Sequence, residues 1–183
     1  MNYTDNQIPL LRKYESIGIG DRKHIQNKPR PSWDAYFMPM CDEAAERSLD
    51  ANTNFGCLFV RNNRIIVTSY NSFPPDCPDN IMPNSRGDDN SPVKLKFMNH
   101  AEMAGILFAA SEGISLNGCT LYCQGHPCSS CSRALITCGV KNWIIGNKSY
   151  QADSEEKLLR EFWVEVGKVN IKYYKEELRG DCP

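Results

Sequence analysis

The chain has 183 residues, 41% hydrophobic and 23% charged, which points to one ordinary globular domain and excludes a disordered, collagen-like or coiled-coil chain. Its 21 Lys/Arg against 22 Asp/Glu leave a net charge of −1, the wrong balance for holding a long nucleic acid by its phosphates, though not for a small phosphorylated ligand. The longest apolar run, Met103–Ala110, falls far short of a membrane span, so no membrane partner is expected.

In chain order, residues 1–30 are polar, with six Lys/Arg against three Asp/Glu and no apolar periodicity, and read as an N-terminal extension. A helix is expected from Ser32, its N-cap, with Trp33, Phe37, Met40 and Ala44 on one stripe. Pro39 interrupts that stripe, so a kink, or a helix start nearer Pro39, is expected there. Phe55–Val60 and Arg64–Tyr70 read as strands joined through the turn pair Asn62-Asn63. Phe73–Pro92 carries five prolines and reads as a long functional or mobile loop. The rest alternates: helix at His100–Glu112, strand at Cys119–Gln124, helix at Ser129–Cys138, strand at Asn142–Gly146, helix at Ser154–Val166 and strand at Val169–Tyr174. That alternation argues for a sheet covered by helices.

Nine cysteines, an odd number, come with no apolar leader in Met1–Gly20, which suggests a reducing, cytoplasmic setting and metal or catalytic roles for clustered thiols. Two pieces carry that chemistry: His100-Ala101-Glu102 and Pro127-Cys128-Ser129-Ser130-Cys131. Thiols three apart on the first turn of a helix point to one side, and the helix N-terminus favours their thiolate forms. Two sulfurs and an imidazole make a three-ligand zinc set that leaves a position open. A closed structural site would need a fourth ligand, for which Cys123 and His126 are the candidates. Glu102 is the natural proton carrier. Residues two apart do not face each other within a helix, so His100 and Glu102 converge only if His100 sits at the helix start. The pattern His-x-Glu followed by Pro-Cys-x-x-Cys is a known signature of zinc-dependent base deaminases.

With these motifs the chain resembles the deoxycytidylate (dCMP) deaminase family of the cytidine deaminase-like superfamily. The likeness extends to Arg30–Met38, Glu46-Arg47-Ser48, Phe55-Gly56-Cys57 and Ser69–Pro74, covering about residues 30 to 175. It implies a three-layer α/β/α fold with a mixed sheet of about five strands, a deaminase domain at 31–178 and an insertion loop at about 73–98. It implies hydrolysis of dCMP to dUMP and ammonia, with zinc on His100, Cys128 and Cys131 and Glu102 as the catalytic acid/base. Substrate contacts would come from Arg47, Asn71, Ala101 and Tyr150, and Asn71 is also the candidate effector contact. Many family members are hexamers activated by dCTP and inhibited by dTTP, so a homo-oligomer is expected, with Mg2+ accompanying an effector triphosphate. Two glycines of the family's Gly-Tyr-Asn-Gly loop are Ser69 and Ser72 here, which weakens the regulatory expectation. The alternatives are a deaminase that also accepts dCTP, one acting on tRNA or single-stranded DNA, and a silent regulatory subunit. Intact Glu102 argues against the last. Residues 60–99 hold one cysteine and no histidine, so a second, structural zinc is not expected.

Overall fold

The computed structural model describes residues 30–85, 93–150 and 152–175; the expected extension at 1–30, apart from Arg30, lies outside them. Helix α1 spans Trp33–Ala45, and Ser32 caps it by accepting from the Ala35 amide at 3.1 Å. The start at Ser32 is therefore the real one, and the start considered nearer Pro39 is corrected. Pro39 lies mid-helix, where its ring withholds the N–H that would reach Ala35.

Strands β1 (Gly56–Arg61) and β2 (Arg64–Tyr70) form an antiparallel hairpin. Its turn residues Asn62 and Asn63 have φ of 51° and 57°, the left-handed pair that a two-residue type I′ turn demands. Next come α2 (Ala101–Ser111), β3 (Thr120–Gly125), α3 (Ser129–Thr137), β4 (Asn142–Lys148), α4 (Ser154–Val166) and β5 (Asn170–Tyr173). The strand order is β2-β1-β3-β4-β5; β1 runs antiparallel to both neighbours, and β3, β4 and β5 are parallel. This is the mixed five-stranded sheet the resemblance implied. Within the insertion the described residues add a short 3-10 turn at Val93–Lys96, which no periodicity announced.

Period-two alternation sorts the strand side chains into two cores. Cys57, Phe59, Leu121, Cys123, Trp143 and Ile145 face one side, packed with Ala101 and Ala109 of α2, Leu135 of α3 and Val164 of α4. Leu58, Val60 and Tyr122 face the other, against Phe37, Met38 and Cys41 of α1. The result is three layers, in which α1 is the one helix on its face of the sheet among the described residues. Trp143 is fully buried, and its indole N–H donates to the Val140 carbonyl at 2.9 Å. All eight cysteines among the described residues are unbridged. No helix among the described residues is long and apolar enough to cross a membrane.

α1 crosses β1 at Gly56, where a Cβ would lie 2.1 Å from the Cys41 carbonyl oxygen and 2.7 Å from the Ala45 nitrogen. Both atoms are backbone and cannot rotate away. Gly56→Ala is expected to cost about 2–3 kcal/mol of stability, read as a lower urea midpoint.

The insertion is pinned at its ends. Ser72 and Asn99 exchange backbone hydrogen bonds at 3.1 and 2.8 Å, and His100 follows directly. Beside this bridge lies a buried polar plug. The Lys94 ammonium donates to Asp50 Oδ1 and, at 3.2 Å, to Asn52 Oδ1. Asp50 also accepts from the Asn52 and Thr53 amides at 2.8 and 2.9 Å.

Candidate metal centre and its surroundings

The metal-type residues stand on two helix starts. His100 is the N-cap of α2, with extended backbone (φ −64°, ψ 157°), and its side chain makes no capping bond. Cys128 is the N-cap of α3 (φ −67°, ψ 166°), immediately past the C-terminal end of β3. The demand that His100 lie at the very start of its helix is met, which lets its ring swing toward the sheet end while Glu102 occupies the first turn.

His100 Nδ1 lies 3.4 Å from Cys128 Sγ and 3.7 Å from Cys131 Sγ, and the three donor atoms all fall within 4.8 Å of one another. A tetrahedral zinc with ordinary Zn–N and Zn–S bonds places such a nitrogen and sulfur about 3.5 Å apart, so the donor set fits that ion in chemistry and spacing. Among the described residues the cluster has three members. Neither candidate for a fourth joins it: the Cys123 thiol donates to Glu102 Oε1 at 3.8 Å, and His126 Nδ1 sits 2.8 Å from the Pro127 carbonyl.

The local field suits cation capture. Hydrogen bonding by the Cys131 thiol, then by His100, pulls the Cys128 thiol down to about 4, while Cys131 is pushed up as the partner that keeps the shared proton. The Cys131 amide also donates to Cys128 Sγ at 3.4 Å. His100 is raised, first by its bond to Cys128. Glu102 is buried, and that burial raises its carboxyl above the usual range. Burial lowers His126 and keeps that ring neutral.

The expected substrate residues are less uniformly placed. Arg47 is exposed in the turn that ends α1, and Ser48 beside it donates from Oγ to the Asn71 carbonyl at 2.8 Å. Asn71 is buried with its carboxamide fully engaged. Its amide donates to Asp50 Oδ2 at 3.1 Å and the Thr53 carbonyl at 3.0 Å, and its oxygen accepts from the Phe55 amide at 2.8 Å. Ala101 is fully buried at the head of α2. Tyr150 is half-buried just past β4, and its hydroxyl accepts from Arg160 Nη1 at 3.3 Å. Burial pushes its phenol up to about 12.

Sequence reasoning passed over Glu156, whose carboxylate accepts from the Ser129 amide at 2.6 Å and the Ser129 hydroxyl at 2.7 Å. It thereby ties α4 to the residue after Cys128. Its helix is capped by Asp153, which accepts from the Glu156 amide at 2.8 Å. Outer partners of this kind hold metal ligands in position. Glu156→Ala is expected to speed zinc loss to a colorimetric chelator by about tenfold.

Residues 31–147 match the family profile described as the cytidine and deoxycytidylate deaminase zinc-binding region. The chain is 37% identical over 153 residues to the deoxycytidylate deaminase of Schizosaccharomyces pombe, covering 81% of this chain and 46% of that one. To the deoxycytidylate deaminase of Saccharomyces cerevisiae it is 34% identical, covering 82% and 49%. The chain thus spans about half the length of these two fungal relatives. It is 32% identical to human deoxycytidylate deaminase, covering 68% of this chain and 69% of the human one. Among solved structures, dCMP deaminase of the cyanophage S-TIM5 in complex with dCMP and dUMP superposes with a TM-score of 0.63 at 20% identity. That match covers 80% of this chain and all of the phage chain, and it supports the fold.

Proposed function

The chain belongs to the cytidine and deoxycytidylate deaminase family, and from that membership we propose that it hydrolyses dCMP to dUMP and ammonia. The observation that carries the proposal is the His100–Cys128–Cys131 donor set beside a buried Glu102. A purely structural metal site has no use for that carboxylate.

Zinc held by His100, Cys128 and Cys131 supplies the Lewis acidity that makes water nucleophilic at neutral pH. Glu102 moves the protons. Its carboxylate takes one from the attacking water, gives one to N3 of the cytosine ring as C4 becomes tetrahedral, and assists protonation of the departing amino group. Burial, which raises Glu102, brings its proton affinity toward the working pH, so it can both accept and release. Cys123 donates to the carboxylate from behind and steadies its orientation.

The substrate contacts extend the same proposal. The Ala101 peptide at the head of α2 meets the base, and Arg47 and Tyr150 approach the phosphate. Asn71 supports the pocket by holding residues 53–55 and the Asp50 plug in place, because its own polar atoms are all occupied. A homo-oligomer is supported by the half-exposed Leu107 and Phe108 on α2 and Val93, Leu95 and Phe97 in the insertion, apolar surface of the kind that subunits cover. A dCTP or dTTP response, with Mg2+ on the triphosphate, would then act through the Asn71 loop, and the expected setting is cytoplasmic.

The test is ammonia release by zinc-loaded protein with dCMP, dCTP and deoxycytidine in parallel, with and without dCTP or dTTP as effectors. Turnover of dCMP with little on the nucleoside is the expected result. Silence on all three would overturn the proposal, and faster turnover of dCTP would redraw the substrate as a triphosphate.

A further inference from the structure

We propose that Arg160, with Tyr150, reads the 5′-phosphate and so sets the preference for nucleotide over nucleoside; the inference rests on the nucleotide-deaminase reading above. Arg160 lies on α4 one turn beyond Glu156, the spacing at which an acid and a base on a helix ordinarily pair. Here they do not. Glu156 spends both oxygens on Ser129. Among the described residues Arg160 is left with one hydrogen bond, Nη1 to the Tyr150 hydroxyl at 3.3 Å, and its charge sits 5.4 Å from the Tyr150 ring centroid. Its Nε is shut off from solvent with no partner, a buried donor that calls for an acceptor from outside the chain.

Tyr150 supplies a second donor. Its oxygen already accepts from Arg160, so its hydroxyl hydrogen is directed elsewhere, and the raised phenol keeps that hydrogen at neutral pH. The dyad stands at the metal centre's edge: α4 is anchored to Ser129, next to Cys128; the Cys128 charge is felt at Tyr150; and the Arg160 charge is felt at His126. A planar guanidinium with free donors beside a phenolic O–H matches the several acceptor oxygens of a phosphate monoester. Arg133, on α3, is committed elsewhere, lying over Trp163 at 5.8 Å and donating to Ser130 Oγ at 3.4 Å.

The experiment compares zinc-loaded wild type, Arg160→Met, Arg160→Lys and Tyr150→Phe. KM and kcat are measured with dCMP and deoxycytidine, and calorimetric binding with dUMP and deoxyuridine. Arg160→Met is expected to raise the dCMP KM and the dUMP Kd about 10- to 100-fold and leave the nucleoside values unchanged, with Lys restoring part and Tyr150→Phe costing less. Unchanged dUMP binding in Arg160→Met overturns the proposal, as does equal weakening of dUMP and deoxyuridine. If wild type binds dUMP through Arg160 yet deaminates nothing, the phosphate site stands and the catalytic reading falls. If wild type binds neither, both fall.

Discussion

Zinc-loaded protein carrying Glu102→Gln is expected to lose about 10²- to 10⁴-fold in kcat for dCMP, the range that a positioned proton carrier contributes, while holding one zinc per chain. Glutamine fills the same space and keeps an oxygen to accept from the Cys123 thiol, but it cannot take up or release a proton. Glu102 lies outside the His100–Cys128–Cys131 cluster, so the donor set is intact in the variant. Metal analysis and turnover therefore separate the two roles. Turnover retained at full zinc content would remove Glu102 from proton transfer, whereas loss of zinc would make its contribution one of holding the metal ligands. A conservative Glu102→Asp variant adds a third readout: it keeps the ionisable group but withdraws it by one methylene, and it should recover only a small part of the lost rate.

The features legible in the sequence were those fixed by neighbours in the chain. Ser32 caps a helix because its own Oγ reaches an amide three residues on, and Asn62-Asn63 turns because both residues tolerate left-handed φ. The candidate metal cluster was legible for a related reason. Two short motifs each begin a helix, and the spacing within each decides which way the candidate ligand side chains point. Residues whose meaning depends on distant partners were not legible. Glu156 and Arg160 lie on a charged helix face that reads as solvated, and only the approach of Ser129 and Tyr150 gives them roles. Asn71 was noticed as a candidate substrate and effector contact, but nothing local announced that its carboxamide bonds to residues 16 to 21 positions earlier in the chain. Lys94, in a polar-apolar alternation beside a proline-rich loop, gives no sign of being buried.

That lysine carries the largest expected effect on stability. Lys94 and Asp50 keep only 2% and 5% of their side-chain exposure, so the pair is screened little by solvent. Lys94→Met removes the counter-charge and leaves the Asp50 carboxylate buried with amide donors alone. Removal of one partner from such a pair costs about 3–5 kcal/mol. Denaturant unfolding of Lys94→Met should show that loss, and Asp50→Asn should show a similar one, since it strands an ammonium instead. The double variant Asp50→Asn/Lys94→Met is expected to be less destabilised than the sum of the singles, because neither buried charge remains. A loss below about 1 kcal/mol in Lys94→Met would mean that water reaches the pair and that the plug behaves as a surface ion pair. The location makes the consequence more than structural. Asp50 holds Asn71, Asn71 precedes Ser72, and Ser72 bridges Asn99, the residue before His100 of the candidate metal cluster. A charge buried 44 residues from its partner is thus linked, through Asn71 and the Ser72–Asn99 bridge, to the start of α2.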